Sequence, residues 1–458
     1  MKMTYSQIQA SVKETAGFVP KRDWIAHVKE LNGLPPLRHT HKSRIERLEP
    51  CPVLRKPLLR ILKAETFGRN AASISVKPRP EQISSTGVDQ RLFLGGKTMR
   101  IALIAPPFIQ IPPKRYGGTE LFLASLALGL KNLGHEVVVY ANGESEVPVE
   151  VRWLYPTAQW PIKGDFSESL KEMNHTAWAV RDAVDACDIV HINNVFGLPH
   201  SRFKKLPFVY TVHHEQDQAL SEFYSHYPDV SFVTISNFQR LRETMPKLRT
   251  IHHGIDLSQY RFRAKKQHYL SFLGRIAPMK GPHLAIAVAK QSGIPLKIAG
   301  EIQPMFQDYF DAEVKPHLDG KFIQYVGEAD LAAKNELLGN ALALLFPIQW
   351  NEPFGLVTIE AMACGTPVLA LPGGSVKEIV ADGISGYVCG SVRGMVEYAR
   401  DIETSLRPAA VREHAERYFS MERMAAEYIA LYSATDQPPI LQPDLPSVEV
   451  SDEESAAA

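Results

Sequence analysis

Two glutamates eight positions apart, Glu352 and Glu360, bracket Pro353-Phe354-Gly355-Leu356 and the helix-forming run 354–363. A helix starting near Phe354 leaves the amides of Phe354, Gly355 and Leu356 without intrahelical acceptors, and such an end receives phosphate readily. Glu352 then stands just outside the helix, and Glu360 about two turns further in. A carboxylate repels a phosphate, so the sensible partners of both glutamates are hydroxyls. One can take sugar hydroxyls and the other ribose hydroxyls, with a diphosphate between them on the helix end. Arg275 and Lys280, five positions apart, follow the apolar run 269–273. Cations at a strand's carboxyl end face a cleft and can offset charge developing on a departing diphosphate.

Further candidates follow other strand ends. Gly117 and Gly118 lie between an apolar run and a helical one, where missing Cβ atoms let the backbone approach a ligand closely. The chain has no G-x-G-x-x-G there, so dinucleotide binding is not indicated. His213 and His214 close the apolar run 208–212, and Glu301 follows Ala299-Gly300 at another strand end. Glu301 reads equally well as a pocket residue or an ordinary surface one. No G-x-S-x-G nucleophile elbow and no Asp-x-Asp metal motif occur. With Arg275, Lys280 and a helix end available for charge, a metal-independent reaction with no cofactor is expected.

The elements that must hold these residues are legible as repeated β-loop-α units. From Met99 a continuous apolar run precedes a helical segment at 119–133, and further strand-like runs fall at 137–140, 189–192, 208–212 and 232–235. Unbroken rather than alternating apolar strands indicate a parallel sheet covered on both faces. A second series runs through 269–274, 296–299, 323–326, 343–346 and 367–370, with helices expected at 281–291, 309–317, 329–339 and 354–363. The fold class expected is α/β, with two Rossmann-like doubly wound lobes facing a cleft and a small helical extension at the N-terminus. The boundaries read as a basic helical module at 1–67, a linker at 68–98, a first lobe at 99–262 and a second at 263–419. A helix at 420–435 should pack back on the first lobe, ahead of a disordered tail at 436–458.

These residues resemble the E-x7-E signature of family-4 glycosyltransferases, retaining enzymes of the GT-B fold. The match rests on Glu352 to Glu360 with the surrounding Glu-Pro-Phe-Gly and Ala-x-Gly-x-Pro-Val texture. It is supported in order by Arg115-Tyr116-Gly117-Gly118-Thr119-Glu120, Thr211-Val212-His213, Ile235-Ser236-Asn237, His253-Gly254-Ile255-Asp256 and Phe272-Leu273-Gly274-Arg275. The resemblance covers about residues 99–435. It implies a hexosyl transfer from a nucleoside-diphosphate sugar to an acceptor hydroxyl, with the first lobe taking the acceptor and the second the donor. By the same resemblance Arg275 and Lys280 meet the diphosphate, and Gly117-Gly118 touches donor phosphate or acceptor. His213 approaches the donor sugar, 326–328 borders the base, and His253-Gly254 is a structural turn. The acceptor, whether saccharide, lipid or small molecule, is left open. The competing class is a non-catalytic protein with a degenerate transferase body that binds a nucleotide sugar or a partner.

Composition agrees with a globular chain: 45% of the 458 residues are apolar and 22% charged. That length exceeds what one core supports, about 250–300 residues. The formal charge of +1 conceals an asymmetry, since residues 1–98 hold 18 Lys and Arg against 8 Asp and Glu. Only that segment could engage an acidic or nucleic-acid partner, and a solvated scaffold face explains its charge equally. The four cysteines have no C-x-x-C spacing, and no apolar stretch is long enough to span a membrane. A cytoplasmic location is expected, with peripheral contact at the inner face of the membrane left open.

Overall fold

The computed structural model describes residues 98–115, 117–160, 166–203 and 206–434. The expected basic module at 1–67, all but the last residue of the 68–98 linker, and the 436–458 tail lie outside the described residues.

Seven strands form the first sheet: β1 Arg100–Ile104, β2 Glu136–Ala141, β3 Glu150–Trp153, β4 Ile189–Ile192, β5 Phe208–Val212, β6 Ser231–Thr234 and β7 Leu248–Thr250. All pair in parallel, in the order β3-β2-β1-β4-β5-β6-β7. Their apolar runs are buried on both sides because each face meets its own core. Ile101 and Leu103 of β1 pack into one cluster, Ala102 and Ile104 into the other. Helices α1 Gly118–Asn132, α2 Phe166–Ala186, α3 Gln218–Ser225 and α4 Asn237–Arg240 connect the strands.

The second sheet holds β8 Leu270–Leu273, β9 Leu296–Ala299, β10 Ile323–Tyr325, β11 Ala343–Phe346, β12 Val368–Ala370 and β13 Gly386–Val388. It too is parallel, in the order β10-β9-β8-β11-β12-β13. Its main helices are α5 Pro282–Ser292, α6 Leu331–Asn340, α7 Leu356–Ala363, α8 Val376–Ile379 and α9 Val392–Ser405, followed by α10 Pro408–Tyr418 and α11 Met421–Ser433. Strand order reverses between β1 and β4 and again between β8 and β11. Such switch points open a crevice outside the strands' carboxyl ends. The two doubly wound lobes expected from the sequence are present.

Strands β3, β7 and β13 escape the sequence reading because each is short, lies at a sheet edge and carries polar or glycine residues. Helices α2, α9 and α10 were not named from the sequence either. The helix expected at 309–317 is instead a π turn at Phe310–Val314 followed by a 3-10 turn at Lys315–His317. Pro316 supplies no donor there to continue an α-helix.

The chain crosses between the lobes twice, near Ile255 and near Ser420, and the crossings are hydrogen-bonded side by side. Ile255 N donates to Phe419 O at 3.0 Å, and Met421 N to Ile255 O at 3.0 Å. A Cβ on Gly254 would lie 2.1 Å from Ser420 O, so glycine is required at this close approach. Helix α11 then lies on α1, with Met424, Ala425, Tyr428 and Tyr432 in the same core as Phe122, Leu126 and Leu130. The two helices approach most closely at Gly129, where a Cβ would fall 2.7 Å from Ala425 Cβ. Gly129→Leu should force α11 away and cost about 1–3 kcal/mol, the range for overpacking. A lowered midpoint in denaturant unfolding checks this; an unchanged midpoint contradicts the packing.

Candidate active site

The strand ends of both lobes open on one cleft of about 420 Å³. Gly117, Gly118 and His213 line it from the first lobe. Arg275, Lys280, Glu352, Phe354, Gly355, Leu356 and Glu360 line it from the second. All ten candidates therefore come together.

The phosphate-receptive helix end sits two residues later than the sequence suggests. Gly355 adopts φ 85° and ψ 60°, left-handed values that break the helix, so α7 begins at Leu356. Phe354 is buried instead, with its ring centroid 4.9 Å from that of His253, and its carbonyl accepts from Ser375 Oγ at 2.8 Å. No side chain caps α7. Its open amides begin at Leu356 and Val357, both of which line the cleft.

The charged groups are paired with one another. Lys280 Nζ lies 2.5 Å from Glu352 Oε2, which also accepts from Trp350 Nε1 at 2.9 Å. The Lys280 ammonium stands 4.6 Å from the centroid of the Trp350 ring. Glu360 Oε1 accepts from Lys334 Nζ at 2.9 Å and from Tyr260 Oη at 2.7 Å. Arg275 Nη1 reaches Gln303 Oε1 at 3.4 Å, and Gln303 in turn donates to Glu301. At the mouth, Arg115 of the first lobe meets Glu328 of the second at 3.4 Å. Lys334, Tyr260 and Trp350 were missed by the sequence reading. Lys334 is 26 positions from Glu360 and Tyr260 is 100 away, on other elements, so no local spacing announces them.

The first-lobe wall is different in kind. His213 Nε2 is 2.9 Å from Asn193 Oδ1, and burial with His214 nearby pushes its pKa down to about 3. His253, read from sequence as part of a structural turn, also lines the cleft, stacked 5.7 Å from His213. Its Nδ1 is buried without a partner, and burial holds its pKa well below the ordinary imidazole value. Neither ring carries charge near neutral pH. Among the described residues no group of three or more His, Cys, Asp or Glu is placed to hold a metal ion.

One buried carboxylate ties the lobes together beside the site. Glu378 of α8 accepts from Asn237 N at 2.7 Å, Phe238 N at 2.6 Å and His252 Nε2 at 2.9 Å, all from the first lobe. This gives the Ile235-Ser236-Asn237 motif a structural role: it presents the start of α4 to Glu378. Ser375, just ahead of α8, donates its amide to Glu352 O at 2.9 Å.

A model of "Glycosyltransferase Family 4" matches residues 116–259, and one of "Glycosyl transferases group 1" matches 257–418. The chain belongs to the family-4, group 1 glycosyltransferases. It is 30% identical over 225 residues to a glycogen synthase of Mycobacterium tuberculosis, covering 45% of this chain and 53% of the relative. The chain thus spans about half the length of that relative. A glycosyltransferase involved in avilamycin A biosynthesis has a similar structure, with TM-score 0.58 and 26% identity, over 73% of this chain and 97% of its own. Anabaena HepE, solved in complex with UDP and glucose, shares the fold with TM-score 0.58 and 18% identity, over 73% of this chain and 100% of its own.

Glu120 in the first turn of α1 behaves unlike the paired glutamates. Only 6% exposed, its carboxyl is pushed up to about 7 by burial. A raised carboxyl pKa contributes stability at low pH that is lost as pH climbs through the folded value. Stability should therefore fall by about 3 kcal/mol between about pH 4.5 and 7 from this group. Glu120→Gln cannot ionise and should flatten that limb. Denaturation midpoints at about pH 5 and about pH 8 check it, and identical pH dependence in both proteins contradicts it.

Proposed function

We propose that the protein transfers a hexosyl unit from a nucleoside-diphosphate sugar to an acceptor hydroxyl, with retention at the anomeric carbon. The observation carrying this reading is the meeting of Arg275, Lys280 and the uncapped start of α7 with Glu352 and Glu360 in a single interlobe cleft. Two cations and a run of open amides offset the charge that accumulates on a leaving diphosphate. Glu352 takes hydroxyls of the transferred sugar and Glu360 those of the ribose. Lys280 serves Glu352 until the donor arrives, then turns to the phosphate, which releases the carboxylate for hydroxyl donors. His213 stands beside the reacting carbon, and Gly117-Gly118 lets the backbone of the first lobe come close to donor or acceptor. Retention is supported by the E-x7-E pattern.

The transfer is proposed to need no metal, since the three positive features above fall where a cation would otherwise act. The described cysteines, Cys187, Cys364 and Cys389, are free thiols, which suits a reducing compartment and a cytoplasmic location. No described helix is long and apolar enough to cross a membrane.

The test begins with a thermal-shift panel of nucleoside diphosphates and their sugars, because a ligand that binds only the folded state raises its stability. The sugar nucleotide so identified is then assayed for release of nucleoside diphosphate, with a chelator present. Lys280→Ala should reduce release by about 10²–10³-fold. Undiminished turnover in that variant would remove Lys280 from the mechanism. Nucleotide binding without transfer to any acceptor would make the protein a binding module.

A further inference from the structure

His213 is one of two neutral rings facing the reacting region, and what a neutral imidazole can do depends on which nitrogen holds its proton. The neighbouring amide decides this. Asn193 follows β4 at the switch point of the first sheet, and it is 7% exposed. Its backbone N and its side-chain Nδ2 both donate to Ile104 O, each at 3.1 Å. Turned over, the amide would set oxygen against oxygen at Ile104, so the hydrogen-bond network assigns Oδ1 to the side of His213. An amide oxygen only accepts. His213 Nε2, 2.9 Å away, must therefore carry the proton. The ring is held at this angle by Phe122, edge-on at 5.0 Å, and by His253. Nδ1 makes no hydrogen bond to any described residue and is not among the buried unpartnered atoms, which places it at the cleft surface.

We propose that Asn193 is a positioning residue that locks His213 as the Nε2–H tautomer, so that Nδ1 offers a lone pair to a substrate hydroxyl. The substrate half of this statement rests on the transferase reading; the tautomer half does not. With its one proton committed to Asn193, the ring accepts a hydrogen bond from the hydroxyl and donates nothing to the leaving group. Burial reinforces this by keeping the second proton off.

The experiment uses the full chain labelled with 15N-histidine, with His213 signals identified by difference against His213→Gln. Long-range proton–nitrogen correlation should show a pyrrole-type Nε2 and a pyridine-type Nδ1. Asn193→Leu, which removes the acceptor, should admit the Nδ1–H form. It should also lower kcat on the order of 10²-fold, the effect of a small misplacement, with an unchanged unfolding midpoint. An Nδ1–H ring in the wild type overturns the proposal, as does a Leu variant with unaltered tautomer and kcat. A wild type that shows the Nε2–H signature but turns over no sugar nucleotide keeps the lock and sinks the transferase reading.

Discussion

Two lysines, an arginine and four glutamates share the second-lobe wall of one cleft, and removing such charges from water costs several kcal/mol each unless they are paired. The protein answers this by pairing within the set. Lys280 holds Glu352 at 2.5 Å and Lys334 holds Glu360 at 2.9 Å. Trp350 and Tyr260 donate to the same carboxylates. The charges are thereby compensated within the protein, and the polar groups are already aimed. An incoming anion need only exchange with partners that are in place, so little reorganisation is required, which is the condition under which fixed charges act most effectively.

That arrangement depends on joining two lobes that fold around separate sheets. Glu378 takes three hydrogen bonds from the first lobe. The segment just before α8 contacts the carbonyls of Glu352 and Phe354. The contact between lobes and the loop bearing the catalytic-looking glutamate are therefore one hydrogen-bonded structure, and strain at either should be felt at the other. The paired crossings at Ile255 and Ser420, with α11 lying on α1, add a second point of registry.

Much of this was legible in the sequence, for definite reasons. Strands β4, β5, β9 and β11 are predominantly apolar runs, and they fall at the limits read from the residues alone. Nine of the ten candidate residues could be named because they lie at or just after a strand end or at a helix start, where a fold of this kind exposes side chains to a crevice, and Glu360 by its spacing from Glu352. The misses share a different cause. Lys334, Tyr260, Asn193 and Glu378 act through partners brought near only by tertiary structure, and Trp350 meets Lys280 in the same way. The two-residue displacement of α7 arises because Gly355 takes a left-handed conformation while Phe354 is drawn into the core. Local patterns specify the periodicity of a helix better than its first residue.

The two walls of the cleft divide the electrostatic work. Arg275, Lys280, Lys334, Glu352, Glu360 and Glu328 all belong to the second lobe, whereas the first offers glycine backbone and the rings of His213 and His253, both held neutral by burial. Arg115 and Glu215 are the charged exceptions on that side. A highly charged nucleotide therefore has one favourable wall, and an uncharged hydroxyl can meet the opposite wall without competing for cations. Under the proposed reaction this asymmetry orders the ligands: charge draws the diphosphate to the second lobe, while a neutral imidazole with a fixed tautomer distinguishes a hydroxyl from water by direction rather than by charge. The same separation explains why both rings are kept neutral. An imidazolium at His213 would place a third cation opposite Arg275 and Lys280 and blur the distinction between the walls.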